Sequence, residues 1–329
     1  MNSKNKIIWA IDPMRHPQDA KNIIRELKIW SKRLKCQIQP VAVFSQSTAD
    51  YYTNLRDLWT KGIEDHAYRT LNSYLKKANV KNLLPAHVVF AKSLSNREMA
   101  SVLSDYAEKS NTSVIFANTR AKKTWNPFRL GGFAETLVAT SRVPVLLFNH
   151  AARPSKKISS ILFPTNFSRD SKLALENLAT MTKPLKSKIT LFNQLENPSL
   201  FVPSYADFSL ALEWKKMMQE AEKANERELT HLADNLTDQG VKCDSIVQAQ
   251  KKSLAQDILE IASKKSFDLI ALSSHQGRLS QAILGGTVRD ILLLAKCPVL
   301  IFHKPKANRP RERGLPAKSI AVETSQLIN

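Results

Sequence analysis

The chain has 329 residues, of which 43% are hydrophobic and 24% are charged, and its formal net charge is +20. This length suits two domains, and the hydrophobic share predicts packed cores. The longest apolar runs are far too short to cross a bilayer, and the first residues show no apolar core of a secretory signal, so we expect neither membrane insertion nor export. Three cysteines without metal-like spacing predict reduced thiols and a cytoplasmic location.

In chain order, the first half alternates short apolar runs with segments of helical periodicity. The apolar runs lie at residues 7–11, 38–44, 86–91, 113–118 and 144–148, and the longer helical segments lie at 19–34, 51–78 and 96–110. The second half repeats this order, with apolar runs at 159–164, 188–193, 243–249, 267–272 and 298–302. Short, wholly apolar strands that alternate with helices predict a parallel sheet covered on both faces. We therefore expect two doubly wound α/β domains.

The two halves are copies of one another. Residues 130–148 and 284–302 are identical at seven of 19 positions, at a constant offset of 154 residues. The same offset aligns the opening strands, and it aligns the fourth strands. The repeat places the domains at residues 1–150 and 156–305, followed by a basic tail at 306–329 that we expect to be disordered.

At this point the sequence resembles the universal stress protein family in its tandem two-domain form. The resemblance is carried by Leu-Gly-Gly leading into a helix in each half, by the final strands VPVLLF and CPVLIF, and by the opening strands that end in AIDP and FPTNFS. It implies two domains of the adenine-nucleotide alpha hydrolase-like fold. It also implies that the two fifth strands pair within the chain as a pseudo-dimer, with a further homodimer left open.

ATP-binding members of this family carry G-x2-G-x9-G-[ST] after the fourth strand. Glycines there let the backbone approach the phosphates, and the helix N-terminus offers free N–H groups and positive charge. Because ligands of doubly wound sheets bind beyond the carboxyl ends of the strands, we take the loops after the first and fourth strands as the candidate sites.

The second half keeps part of this motif. With one residue deleted, it reads Ser274-x2-Gly277-x8-Gly286-Thr287, while Asn166 stands where the family has Asp and so keeps an acceptor but loses the charge. A histidine and an arginine in the loop could pair with phosphate. The candidate nucleotide-binding residues of this half are Thr165, Asn166, Ser168, Ser273, Ser274, His275, Gly277, Arg278, Gly285, Gly286 and Thr287.

The first half keeps less of it. Read as Asn118-x2-Ala121-x9-Gly131-Gly132, it lacks both early glycines and has no hydroxyl at the end. Asp12 closes the opening strand, so the weaker candidates are Asp12, Asn118, Gly131 and Gly132. A second interpretation is that Asp12 caps the following helix.

The sequence therefore predicts a regulatory module that binds ATP or a related adenine nucleotide and an unknown protein partner. No arrangement of nucleophile, base or metal ligands indicates a catalyst or a metal site, although slow ATP hydrolysis stays open. Two alternatives also stay open: a scaffold for protein interaction that binds no ligand, and a basic protein that binds nucleic acid. The positive charge is spread along the chain without a dense block, which favours a solubilising surface over a nucleic-acid site.

Overall fold

The computed structural model describes residues 6–12, 20–45, 56–80, 83–93, 95–119, 132–149, 152, 157–196, 208–274 and 284–303. The proposed tail at 306–329 lies outside these residues. Strands and helices alternate along both halves, as the hydrophobic pattern predicts. No helix in the described ranges is both long and apolar enough to span a membrane.

The N-terminal domain contains five strands and four helices among its described residues. They are β1 (Lys6–Ile11), α1 (Lys21–Leu34), β2 (Gln37–Ser45), α2 (Arg56–Ala78), β3 (His87–Ala91), α3 (Asn96–Lys109), β4 (Val114–Asn118), α4 (Gly132–Thr140) and β5 (Val145–Phe148). Ser95 caps α3 by accepting a hydrogen bond from the backbone N–H of Glu98, which satisfies one of the free donors at the helix start.

The C-terminal domain repeats this order. Its elements are β6 (Ser160–Pro164), α5 (Arg169–Thr182), β7 (Lys188–Leu195), α6 (Phe208–Asp238), β8 (Cys243–Ala249), α7 (Leu254–Lys264), β9 (Leu269–Ser273), α8 (Gly286–Leu294) and β10 (Val299–Phe302). A 3-10 turn at Lys183–Leu185 extends α5. Ser253 and Gln256 form a capping box that fixes the start of α7.

All ten strands belong to one sheet, in the order β3-β2-β1-β4-β5-β10-β9-β6-β7-β8. Neighbouring strands are parallel within each domain, and the two domains meet where β5 and β10 pair antiparallel, with Leu300 opposite Leu146. The tandem doubly wound fold and the pairing of the fifth strands are thereby confirmed. Each domain covers an open edge of the other.

Helices cover both faces of this sheet, which explains why its central strands are mainly apolar. In β1, Ile7 and Trp9 belong to one buried cluster and Ile8 to the other, as the alternation of side chains along a strand requires. The first cluster packs against α1, α2, α5 and α6, and the second against α3, α4, α7 and α8.

Two reciprocal hydrogen bonds join the domains beside the β5–β10 pair. Asn149, just after β5, donates from Nδ2 to the backbone oxygen of Leu293 in α8. His303, just after β10, bonds through Nε2 to the backbone oxygen of Val138 in α4. Because a carbonyl oxygen only accepts, Nε2 carries the proton and Nδ1 does not. Nδ1 is buried without a partner in the described residues, and burial lowers the pKa of His303 to about 4.

Candidate functional site

Strand pairing fixes how the two fourth-strand loops correspond. Asn118 lies opposite Phe148 and Ser273 lies opposite Phe302, so Asn118 and Ser273 are equivalent. The helices that follow begin at Gly132 and Gly286. The connection therefore runs over residues 119–131 in the first copy and over 274–285 in the second, which is one residue shorter.

This register corrects the sequence analysis in two places. The fourth strands align at an offset of 155 residues and not 154, because the equivalent of Ser273 is Asn118 and not Thr119. The end of the motif in the first half also changes. Gly132 is the equivalent of Gly286, so the residue at the position of Thr287 is Phe133 and not Gly132. In the first half, the sequence analysis placed the end of the motif one residue too early. It counted from the end of the fourth strand, and the loop that follows this strand is one residue longer than its copy in the second half.

A cavity of about 420 Å³ lies at the carboxyl ends of β6, β7 and β9, in front of the start of α8. Ala139 of α4 also lines it, so the N-terminal domain contributes to its wall. Seven of the residues predicted from the sequence line this cavity: Thr165, Asn166, Ser273, Ser274, Gly285, Gly286 and Thr287. The structure thus brings together the ends of the first and fourth strands of this domain.

Ser168, another candidate of this half, is not among the residues that line the cavity. Ser168 caps α5, since its hydroxyl accepts a hydrogen bond of 3.2 Å from the backbone N–H of Ser171. Because an N-cap stabilises the helix that it begins, this role accounts for a serine at position 168. His275, Gly277 and Arg278 lie outside the described residues, so their predicted contact with phosphate stays a prediction.

The turn after β6 is held by its own side chains. The hydroxyl oxygen of Thr165 accepts from the backbone N–H of Phe167 at 3.1 Å and from the hydroxyl of Ser171 at 2.9 Å. Oδ1 of Asn166 accepts from the backbone N–H of Ser168 at 3.2 Å. These bonds hold Phe167 at a φ of 60°, in the left-handed region that bulky residues rarely adopt. The turn that borders the cavity is therefore held in place without a ligand.

The start of α8 has the properties of an anion site. Its N-cap is Gly285, which supplies no side-chain cap, and its first turn contains no acidic residue. The first N–H groups of a helix have no partner within the helix, and they carry the positive end of its dipole. A Cβ built on Gly285 or Gly286 would meet no atom of the described chain within 4 Å. Packing among those residues therefore does not explain the two glycines, whereas an approaching ligand would.

Two further strand-end residues at the cavity were missed by the sequence analysis, which considered only the loops after the first and fourth strands. Asn193 and Gln194, near the end of β7, line its floor. Asn193 donates to the backbone oxygen of Thr165 at 2.9 Å and accepts from Asn225 of α6 at 2.8 Å. The consecutive polar residues Asn193 and Gln194 near the end of the strand KITLFNQL were the available signal. Leu254 and Ile258 of α7 add an apolar wall.

The corresponding glycine of the N-terminal domain has different surroundings. A Cβ on Gly132 would lie 2.4 Å from Nδ2 of Asn96, at the start of α3. Gly132 is therefore explained by packing between two helices. Asp12 follows β1 and is not the N-cap of α1, which is Ala20. Residues 13–19 between them lie outside the described residues, so the role of Asp12 stays a prediction. Gly131 lies outside the described residues.

Residues 157–303 match the model of the universal stress protein family. The C-terminal half is a universal stress protein domain. The resemblance found in the sequence is thereby confirmed, and the N-terminal half has the same strand order.

Two solved structures are similar to nearly the whole chain. A universal stress protein from Archaeoglobus fulgidus DSM 4304 is 15% identical and has a TM-score of 0.60, with 92% of this chain and 99% of that chain covered. A functionally unknown protein from Pseudomonas aeruginosa PAO1 is 12% identical and has a TM-score of 0.57, with 92% and 93% covered. At these identities the likeness shows the fold, which spans both halves. No curated protein matches the sequence of this chain.

Proposed function

We propose that the C-terminal universal stress protein domain binds an adenine nucleotide in the cavity before α8, and that the protein is a non-catalytic regulatory module. The observation that carries this proposal is the cavity itself. It joins the ends of three strands to a helix start whose two glycines leave the approach open. Ligands of doubly wound sheets bind at this edge.

The two ends of the cavity suit the two ends of a nucleotide. The N-terminus of α8 offers backbone N–H groups and the hydroxyl of Thr287 to a phosphate group. The floor between β7 and α7 combines apolar surface from Phe192, Leu254 and Ile258 with the side chain of Gln194. A flat heterocyclic base needs apolar surface of this kind together with a few polar partners.

In this proposal the nucleotide acts as a signal and not as a substrate. A ligand shifts a protein toward the conformation that it binds better. Because Ala139 of α4 lines the cavity, occupancy would be sensed by both domains. The surface presented to a protein partner would then differ between the occupied and the empty form.

Isothermal titration of the full chain with ATP, ADP and AMP tests the proposal. We expect saturable binding, and we expect Gly286→Val to weaken it by about tenfold or more, because the added side chain occupies the space before the helix start. Gly62→Val is the matched control, since Gly62 on α2 also has open space around it but lies in the other domain.

Absence of heat above dilution at high micromolar nucleotide would contradict nucleotide binding. Equal binding by wild type and Gly286→Val would contradict the assignment to this cavity. Release of inorganic phosphate from bound ATP within minutes would contradict the non-catalytic role. Thermal unfolding of each variant checks that a loss of binding does not reflect a loss of fold.

A further inference from the structure

Gln194 of β7 lines the cavity, and the nitrogen of its side-chain amide is held by hydrogen bonds to two neighbouring residues. Its Nε2 donates to Oδ2 of Asp257 in α7 at 2.6 Å, and a longer bond of 3.4 Å runs to the backbone oxygen of Lys252. Both partners are acceptors. Since a carboxylate or carbonyl oxygen accepts but does not donate, the amide nitrogen and not the oxygen must face them.

Asp257 is itself a fixed acceptor. It is 1% exposed, and the same Oδ2 accepts from the backbone N–H groups of Lys251 at 3.1 Å and Lys252 at 3.4 Å. The capping box of α7 begins at Ser253, and the backbone N–H of Asp257 bonds to the oxygen of Ser253 at 3.0 Å. Reversing the Gln194 amide would bring two oxygen atoms together inside this network, so the network fixes its orientation.

Both hydrogen bonds of the Gln194 amide are made by Nε2. The other polar atom of the amide, Oε1, has no hydrogen-bond partner in the described part of the chain. Gln194 lines the cavity next to Phe192, and Leu254 and Ile258 lie on the facing helix. These three side chains offer a ligand group no hydrogen bond, and Glu196, two residues beyond Gln194, lines the cavity as a further acceptor. We propose that Gln194 is a specificity-determining residue that presents Oε1 to the base and selects a hydrogen-bond donor there, with Asp257 as its positioning residue.

This inference rests on the proposed function, and it specifies which bases the cavity accepts. A 6-aminopurine such as adenine carries an amino group that donates to Oε1. A 6-oxopurine such as hypoxanthine places a carbonyl oxygen at the same point, so two acceptors face each other and neither is satisfied. Sites that hydrogen-bond one ligand group discriminate strongly against an analogue that lacks it.

The test compares ATP with inosine triphosphate, which have the same triphosphate and ribose and differ in the base. By isothermal titration of the full chain, we expect ATP to bind about tenfold more tightly or better. Gln194→Leu should bring the two affinities within about threefold of each other, because leucine distinguishes neither group. Gln248→Leu is the control, since Gln248 pairs with Gln194 on the neighbouring strand but does not line the cavity.

Asp257→Ala tests the positioning role. Without the carboxylate the Gln194 amide can turn, so the ratio of the two affinities should fall toward one. A merely structural role of Asp257 would lower both affinities and leave their ratio unchanged. Thermal unfolding monitors the fold of each variant.

The outcomes separate this inference from the proposed function. If both nucleotides bind with equal affinity, or if Gln194→Leu keeps the preference for ATP, the role of Gln194 is overturned while nucleotide binding stands. If neither nucleotide binds to the wild type, the proposed function and this inference both fail.

Discussion

The two domains place an equivalent glycine in opposite surroundings. Gly132 starts α4 with its Cα against the side chain of Asn96, whereas Gly286 starts α8 with open space before it. The strand order around both glycines is the same. The comparison teaches that a retained motif residue can face a neighbouring side chain in one copy and open space in the other, so the residue type alone does not give its role.

The same contrast holds at the domain junction. Asn149 and His303 occupy equivalent positions after the fifth strands, and each bonds to a helix of the other domain. Of these two side chains, only the histidine titrates within the acidic to neutral pH range. The pseudo-twofold junction is therefore symmetric in hydrogen bonding and asymmetric in its response to acid.

The largest effect that we expect concerns this asymmetry. Burial lowers the pKa of His303 to about 4 in the folded protein, from an ordinary value of 6.5. The folded state therefore binds a proton on His303 less readily than the unfolded chain does. The free energy of unfolding is highest above pH 6.5 and decreases as the pH falls from 6.5 toward 4. At 1.36 kcal/mol for each pKa unit, the loss approaches about 3 kcal/mol.

Chemical denaturation between pH 7 and pH 4 measures this loss. His303→Asn copies Asn149 and should remove the part of the pH dependence that the histidine causes. Parallel stability curves for wild type and variant would show that His303 does not sense pH.

The next effect concerns the amino ends of β6 and β9, at the end of the sheet away from the cavity. Oδ2 of Asp268 accepts hydrogen bonds from the backbone N–H groups and the hydroxyls of Ser159 and Ser160, at 2.8 to 3.1 Å. The residue at the equivalent position of the N-terminal domain is Ser113, which has no carboxylate. Asp268→Ser should lower the free energy of unfolding by about 2 kcal/mol, since a carboxylate that accepts several bonds leaves those donors unsatisfied when removed.

Denaturant titration quantifies this change. Asp105→Ser is a suitable control, because the side chain of Asp105 is about half exposed and lies 3.9 Å from Arg142 in a surface ion pair that contributes little. A loss at position 268 no larger than that of the control would mean that the serine cluster contributes nothing to stability.

The smallest effect tests the glycine comparison directly. Gly132→Ala should lower the free energy of unfolding by about 0.5 to 1 kcal/mol, because the new Cβ displaces the end of the Asn96 side chain. Gly286→Ala should leave stability unchanged or raise it slightly, since alanine favours the helix and no atom of the described residues obstructs its Cβ. Thermal unfolding of both variants measures the difference. The Asn96→Ala background should abolish the cost at Gly132, and a cost that persists there would contradict the packing explanation.

The fold could be predicted because the internal repeat and the apolar strands that alternate with helices can both be seen in the sequence itself. Seven residues at the cavity followed for the same reason, since the loops after the first and fourth strands of a doubly wound domain meet at one edge. Gln194 and Asp257 could not be found in this way. They are 63 residues apart, and their contact depends on how α7 packs beside β7. The equivalence of Gly132 and Gly286 could not be predicted from the motif spacing either. The loop of the first half has one additional residue, so counting from the end of β4 does not reach the start of α4.

The antiparallel pair of β5 and β10 also has a consequence for how the two copies can change with time. In a dimer of identical subunits, every substitution appears at both sites at once, so neither can lose its function alone. Joining the subunits in one chain removes that restriction and keeps the halves at a high effective concentration that dilution does not reduce. One copy can then become a supporting partner while the other keeps an open cleft. The dissimilar surroundings of Gly132 in α4 and Gly286 in α8 are the outcome that such a division between the copies would produce.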